Sequence, residues 1–185
     1  MRRSREATAH SKARIVSAAA RMVRERGIDA TSVAEVMAAA GMTNGGFYRH
    51  FESKDEMIGS AIDAAFDEIA ERFDRRLRQS GAAAAVDAYV EEYLSERHLQ
   101  HPGYGCPVAA VATDAGRSRG VFAGQFVEGV EKLIGRLVKG SGGAPRAERT
   151  KAIRRLARLV GAVVLARAVG KGALRDEIIT ACDPD

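Results

Sequence analysis

Apolar residues along this chain recur at steps of three and four, the spacing of a helix buried on one side, with no obvious period-two stretch for a strand. From Ser11, residues Ile15, Ala18, Ala19, Met22 and Val23 form one such face, and Gly27 ends it. Ser32 with Glu35 three positions on is a capping box, so a second helix begins there and buries Val33, Val36 and Met37. Ala40-Gly41-Met42 interrupts that helix, because Gly41 can adopt the left-handed conformation that turns a chain sharply aside. Thr43 can then cap a third helix running to about Phe51. A second capping box, Ser53-Lys54-Asp55-Glu56, opens a long helix to about Gln79, with Met57, Ile58, Ala61, Ala65, Ile69, Phe73 and Leu77 along it.

The remaining pattern predicts a helix over Ala82–Gln100 bearing Tyr89, Val90, Tyr93 and Leu94, then a break at His101-Pro102-Gly103-Tyr104-Gly105, where proline and two glycines cannot continue it. Cys106-Pro107 starts a short helix with proline at a favoured first position. Further helices are expected over Ser118–Lys139, with Val121, Phe122, Phe126, Val130, Leu133 and Leu137 on one side, over Pro145–Val169, and over Leu174–Cys182. Residues 140–145 read as a loop, and residues 1–10, basic and without apolar period, as a flexible arm able to touch a DNA groove or backbone. The fold class is therefore all-α: an N-terminal three-helix unit with a helix-turn-helix over residues 1–53, and a helical effector-binding and dimerisation unit over residues 54–185.

Two short helices joined by a tight glycine turn are the layout of a helix-turn-helix. Its second helix carries the donors Thr43, Asn44, Tyr48, Arg49 and His50, while Gly45 and Gly46 remove bulk from its first turn. A recognition helix meets the major groove with its N-terminal residues, and glycine lets backbone amides approach phosphates closely. The run AGMTNGGFYRHFESKDEM resembles the DNA-binding domain of the TetR family of bacterial transcriptional repressors. Gly41, Thr43, Gly45, Phe47, Tyr48, His50, Phe51, Ser53 and Lys54 stand where that pattern wants them, and the resemblance extends back over residues 12–40. Gly46 departs from it, since relatives commonly carry Thr, Ser or Ala there. The resemblance implies that Lys54 touches phosphate, that the helix it begins transmits ligand binding to the DNA-binding unit, and that the last two helices pair with their copies in a homodimer. The DNA-binding residues so expected are Thr43, Asn44, Gly45, Gly46, Tyr48, Arg49, His50 and Lys54.

Charge sharpens this picture. The net charge is +5; residues 1–54 hold ten Lys or Arg against five Asp or Glu, whereas residues 55–185 hold nineteen of each, so the whole excess lies on the segment with the helix-turn-helix. A basic head on a neutral body suits double-stranded DNA and makes binding salt-dependent. With 46% hydrophobic residues, the 185-residue chain has enough apolar material for a proper core. The longest apolar run, Leu159–Val169, contains Arg167 and is too short to span a bilayer, so no membrane partner is expected. Two distant cysteines and no secretory signal point to the cytoplasm.

Three functions compete. The first is a homodimeric repressor released from a palindromic operator by a small, lipophilic or electrophilic effector. Its apolar pocket would draw on Phe66, Phe73, Tyr89, Tyr93 and Tyr104, together with Cys106, Val108, Val111, Phe122 and Phe126. The breadth of apolar surface on the 145–169 helix assigns part of it to a partner, with Leu156, Val160, Val163 and Val164 at the dimer interface. A cysteine-based sensor of the same fold is a variant: Cys106, at a helix start, has a route to a lowered pKa that Cys182 lacks, although a small buried hydrophobe is the plainer reading. The second function is an enzyme or metal site using His98, His101 and Cys106, which lacks a fourth ligand of recognisable spacing, so no catalytic residue, metal or cofactor is assigned. The third, an architectural DNA binder, would not need some 130 residues of neutral helical body.

Overall fold

In a computed structural model, which describes residues 2–118, 120–139 and 145–183, nine α-helices and two short 310 segments are present among the described residues. They are α1 (Arg2–Arg26), α2 (Val33–Ala39), a 310 segment (Asn44–Arg49), α3 (Lys54–Ser80), α4 (Ala82–Leu94), α5 (Glu96–Gln100), a 310 turn (Pro102–Tyr104), α6 (Pro107–Arg117), α7 (Ala123–Lys139), α8 (Pro145–Val169) and α9 (Ala173–Cys182). The chain is all-α, as expected.

Both capping boxes form. Ser32 Oγ accepts from Glu35 N–H at 3.3 Å and donates to the Glu35 carboxylate at 2.7 Å. At the start of α3, Ser53 Oγ accepts from Glu56 N–H at 3.1 Å and the Glu56 carboxylate accepts from Glu52 N–H at 2.7 Å. Four otherwise unpaired donors are thus satisfied at two helix entries, and each such cap contributes on the order of 1 kcal/mol. Gly41 takes φ +69°, the conformation its turn requires. Packed on this turn, Phe47 and Phe51 stack with centroids 5.7 Å apart, and Lys12 Nζ lies 4.6 Å above the Phe51 ring.

Several boundaries differ from expectation. Residues 2–10 continue α1 rather than forming a separate arm; the stretch lacks Pro and Gly and is rich in the helix formers Arg, Glu and Ala. The second helix of the motif is a 310 segment, and Thr43 makes no side-chain cap; Gly46 N–H bonds Thr43 O and His50 N–H bonds Phe47 O, and adjacent glycines weaken an α-helical first turn. The expected 82–100 helix is split at Ser95, whose hydroxyl donates to Glu92 O at 2.7 Å and accepts from His98 N–H at 3.3 Å, ending α4 and capping α5. Ser118 caps the end of α6, and α7 starts only at Ala123, past Gly120 at φ +90°. The loop expected before Pro145 falls, in residues 140–144, outside the described residues.

The 27-residue α3 is the spine. It packs on α1, α4, α6 and α7. One buried apolar cluster runs from Ile15 and Val36 through Phe66 and Phe73 to Leu159 and Val163. Helix α7 comes close to α3 at Gly129, where a Cβ would stand 2.2 Å from the Phe66 ring, so only glycine fits. Ion pairs from Lys132 to Asp67 and from Arg136 to Asp74 flank that contact.

Two polar links tie α1 and the turn after it to the body. Ile28 N–H donates to Asp114 Oδ2 on α6 at 3.0 Å, beside Gly27, whose φ of +87° and missing Cβ leave room for that carboxylate. Arg24, 4% exposed, donates to Ala20 O at 3.0 Å, to Gly105 O at 3.2 Å and to Glu68 on α3 at 2.7 Å. Arg24→Met should therefore lower the unfolding free energy in urea by about 2–4 kcal/mol, because it strands buried acceptors. Glu68→Gln, at a side chain 41% exposed, should cost less than about 1 kcal/mol.

Candidate functional site

The sequence-expected DNA-binding residues lie on the 310 segment, on the residue either side of it, and at the first residue of α3. Thr43, Asn44, Gly45, Tyr48 and Arg49 are exposed, Tyr48 to 80%, while Gly46 and His50 are half-buried. Phe47 is buried and meets the Tyr48 ring edge-on at 5.2 Å, which fixes how that exposed phenol leaves the surface. His50 Nδ1 is buried and has no partner in the chain. Lys54, at the start of α3, reaches Asp29 O at 3.4 Å. Among the described residues Arg49 has no ion-pair partner, whereas Lys12 pairs with Glu56 and Arg26 with Glu35.

Neither motif glycine is demanded by the fold. A Cβ on Gly45 would meet nothing within 4 Å, and one on Gly46 would make ordinary contact with Met37 at 3.7 Å; neither residue has a positive φ. An exposed side chain here would be free to exist, and its absence leaves bare main chain on the outer surface.

A second candidate site is a cavity of about 50 Å³ walled by α3, α4, α5 and the 101–106 turn. Of the residues expected at a pocket, Phe73, Tyr89, Tyr93, Tyr104 and Cys106 line it. The other five expected residues do not. Phe66 is buried against Phe126 with ring centroids 5.7 Å apart, Val111 is fully buried, Phe122 lies in a separate groove beside Lys54, and Val108 packs on the core. The sequence reading missed the polar half of the wall: Arg72, Arg76, Glu92 and His98. Arg72 and Arg76 stand four apart on α3, flanking Phe73, and that spacing was the available signal. Arg76 pairs with Glu92, and Arg72 donates to Tyr104 O at 3.1 Å.

His98 is committed to structure. Its Nδ1 donates to Tyr93 O at 2.6 Å and its Nε2 accepts from Cys106 N–H at 3.0 Å, which requires the neutral ring. Burial pushes its pKa down to about 4, partly opposed by the bond to Tyr93 O. Cys106 fits the plainer reading of a buried hydrophobe: although it precedes α6, its thiol is buried and desolvation raises its pKa, outweighing the hydrogen bonds from Tyr93 and from the amides of Val108 and Ala109. The thiol faces Tyr93 and Tyr89, not a base, and among the described residues no His/Cys/Asp/Glu cluster could hold a metal.

On α8, Leu156 and Val163 are buried in the protomer's own core and cannot serve an interface; this corrects their assignment. Val160 is half-buried and Val164 is 45% exposed. The outward apolar stripe is instead Ile153, Val164, Leu165 and Val169, continued by Leu174 of α9. A helix apolar on all sides does not declare which stripe its own body covers. Among the described residues no helix is long and apolar enough to cross a membrane.

Residues 15–61, spanning the second half of α1 through the first turns of α3, match the family of bacterial regulatory proteins described as the tetR family. Over that stretch the chain matches the TetR family. It is 30% identical over 104 residues to an uncharacterized HTH-type transcriptional regulator, Rv0196, of Mycobacterium tuberculosis, covering 56% of this chain and 52% of that one. It is also 32% identical over 78 residues to the HTH-type transcriptional repressor KstR2 of Rhodococcus jostii, covering 41% of this chain and 38% of that one. Those alignments span about half or less of the curated relatives' length. A TetR transcriptional regulator of Legionella pneumophila has the same fold, with TM-score 0.77, 19% identity, and coverage of 92% and 94% of the two chains.

The His98 geometry gives a pH signature. A histidine whose folded pKa lies near 4 against an unfolded value near 6.5 contributes stability that is present above pH 6.5 and lost as pH falls toward 4. Between pH 7 and pH 5, where ordinary carboxylates stay ionised, about 2 kcal/mol of unfolding free energy should disappear. In His98→Gln, which retains a donor and an acceptor but does not titrate, that slope should flatten.

Proposed function

We propose that this chain is a homodimeric transcriptional repressor that binds a palindromic DNA operator and leaves it when a small molecule occupies the cavity beside Tyr89 and Tyr93. Residues 1–53 would form the DNA-binding unit and residues 54–185 the effector and dimerisation unit. The observation that carries the reading is the surface from Thr43 to Lys54, where exposed donors surround two glycines that the fold itself does not require. Thr43, Asn44 and Gly45 would lie nearest base edges, while Tyr48, Arg49, His50 and Lys54 would hold phosphates. The cytoplasm is the compartment such a role requires.

Footprinting followed by selection of binding sites tests this directly. Lys54→Ala should weaken binding about equally on all DNA and lower the salt slope by about one unit, whereas Asn44→Ala should change preference at one position of each half-site. Gly45→Ala should leave thermal stability equal or slightly higher yet reduce operator affinity, because the added methyl meets only the DNA. Unchanged site preference in Asn44→Ala would remove it from base recognition.

The dimer would form through α8 and α9, on the stripe from Ile153 to Leu174. Its half-sites would be spaced by about 34–36 Å or a multiple of it. Val164→Asp should keep a folded chain but lower its mass in sedimentation and weaken operator binding, while Val163→Asp, with an unpaired charge in the protomer core, should unfold it. A monomeric mass for the unaltered protein at micromolar concentration would refute the assembly.

A further inference from the structure

The cavity contains two donors whose one polar neighbour is a thiol. Tyr89 and Tyr93 are 6% and 3% exposed, their rings are 5.5 Å apart, and neither hydroxyl has a nitrogen or oxygen hydrogen-bond partner. An unpaired buried hydroxyl is unfavourable by about 1–3 kcal/mol, and phenylalanine would fill the same space without that cost. Neighbouring groups do not answer them. His98 has both nitrogens engaged, Ser95 donates to Glu92 O, and the adjacent Cys106 thiol is a weak partner.

Two guanidinium groups and one carboxylate act on these hydroxyls. Arg167 of α8, half-buried, donates to His98 O at 2.6 Å and Leu99 O at 3.3 Å, both neutral acceptors, and among the described residues no carboxylate pairs with it. Its charge acts on Tyr93 and Cys106, and that of Arg72 acts on Tyr89. Glu92 is the opposing acid, and it is already shared between Arg76 and Arg72. The ring of Phe73, edge-on to Tyr89 at 5.9 Å, supplies an aromatic wall. A volume of about 50 Å³ holds roughly three or four water-sized groups, so the interior takes a small polar head, with the rest of a ligand toward the exposed mouth at Tyr104.

We propose that this cavity binds a small monocarboxylate, with one ring or a short chain, whose carboxylate oxygens accept from the Tyr89 and Tyr93 hydroxyls. The inference rests on the proposal that this cavity is the effector site, and it replaces the lipophilic effector expected from the aromatic residues with an organic acid. Both phenols stay protonated, because burial raises their pKa well above the usual value, so they remain donors across the physiological range. Charge-assisted O–H···O⁻ bonds are about twice as strong as neutral ones, and the nearby guanidinium groups offset the desolvation of the anion.

Calorimetry on the full chain at neutral pH with benzoate, its neutral isostere benzamide, and toluene tests the proposal. Benzoate should bind once per chain with a Kd below about 1 mM, benzamide at least about tenfold more weakly, and toluene not measurably. Tyr89→Phe and Tyr93→Phe should each weaken benzoate binding by about tenfold or more, while the melting temperature of the ligand-free variants stays equal or rises. Absence of benzoate binding, equal binding of benzamide or toluene, or benzoate affinity unchanged in both variants would overturn it. Tyrosine-dependent benzoate binding that leaves operator affinity untouched would uphold the carboxylate site and remove the cavity's role in DNA release.

Discussion

The joint between the two ends of the molecule is a buried cation. A guanidinium cannot discard its charge to suit an interior, so Arg24 is tolerated at 4% exposure only because its donors are used. Their acceptors come from three places: α1 itself through Ala20 O, α3 through Glu68, and the 101–106 turn through Gly105 O. That turn also forms part of the cavity wall. Displacing the turn must either carry Arg24, and α1 with it, or leave a buried charge short of a partner. Close-packed elements held by such bonds move between discrete arrangements rather than yielding gradually. The Ile28–Asp114 bond gives α6 a second grip on the turn that leads from α1 to α2.

Burial sets the chemistry of the cavity. Desolvation is the largest influence on Tyr89, Tyr93, His98 and Cys106, and in each it favours the neutral form. A nucleophilic Cys-His pair needs a thiolate and a base that faces it, yet the His98 Nε2 accepts from the cysteine's own backbone N–H. The arrangement is poor for proton transfer and suited to recognition: neutral donors fixed on rigid helices, with cationic side chains at their back. This agrees with the transcriptional regulators to which the chain and its fold are similar.

What could be read from the sequence was local. Ser32–Glu35 and Ser53–Glu56 are contacts three residues apart, and Gly41 announces its own turn, so the starts of α2 and α3 and the turn between the motif's two helices were legible. The apolar period hid the split at Ser95, since Leu94 and Leu99 keep the helical pattern running across a serine that caps in both directions. Arg24–Gly105 and Ile28–Asp114 join residues 81 and 86 positions apart, and nothing in either segment declares the other. Half of the pocket wall was legible, because its aromatic residues follow the helical period, whereas the charged residues on the same turns of α3 and α4 read as solvated surface. Periodicity also cannot distinguish Val163, which the protomer buries, from Val164, which it exposes.

Helix α8 connects these themes through its two faces. Inward, Leu156, Leu159 and Val163 fill the core; outward, Ile153, Val164, Leu165 and Val169 lie bare. Arg167 stands among the outward residues in sequence but turns back to hold the two carbonyls at the end of α5, immediately beside the His98 and Tyr93 of the cavity. A copy of the chain seated on the outer stripe would fix the register of α8, and with it the position of Arg167 behind the cavity. Ligand binding would then be sensitive to the partner, and by the reciprocity of linked equilibria the ligand would alter the dimer to the same degree in free energy. In a symmetric pair holding two DNA half-sites at a fixed spacing, a shift of α8 that is too small to open either protomer is enough to change the distance between the two heads.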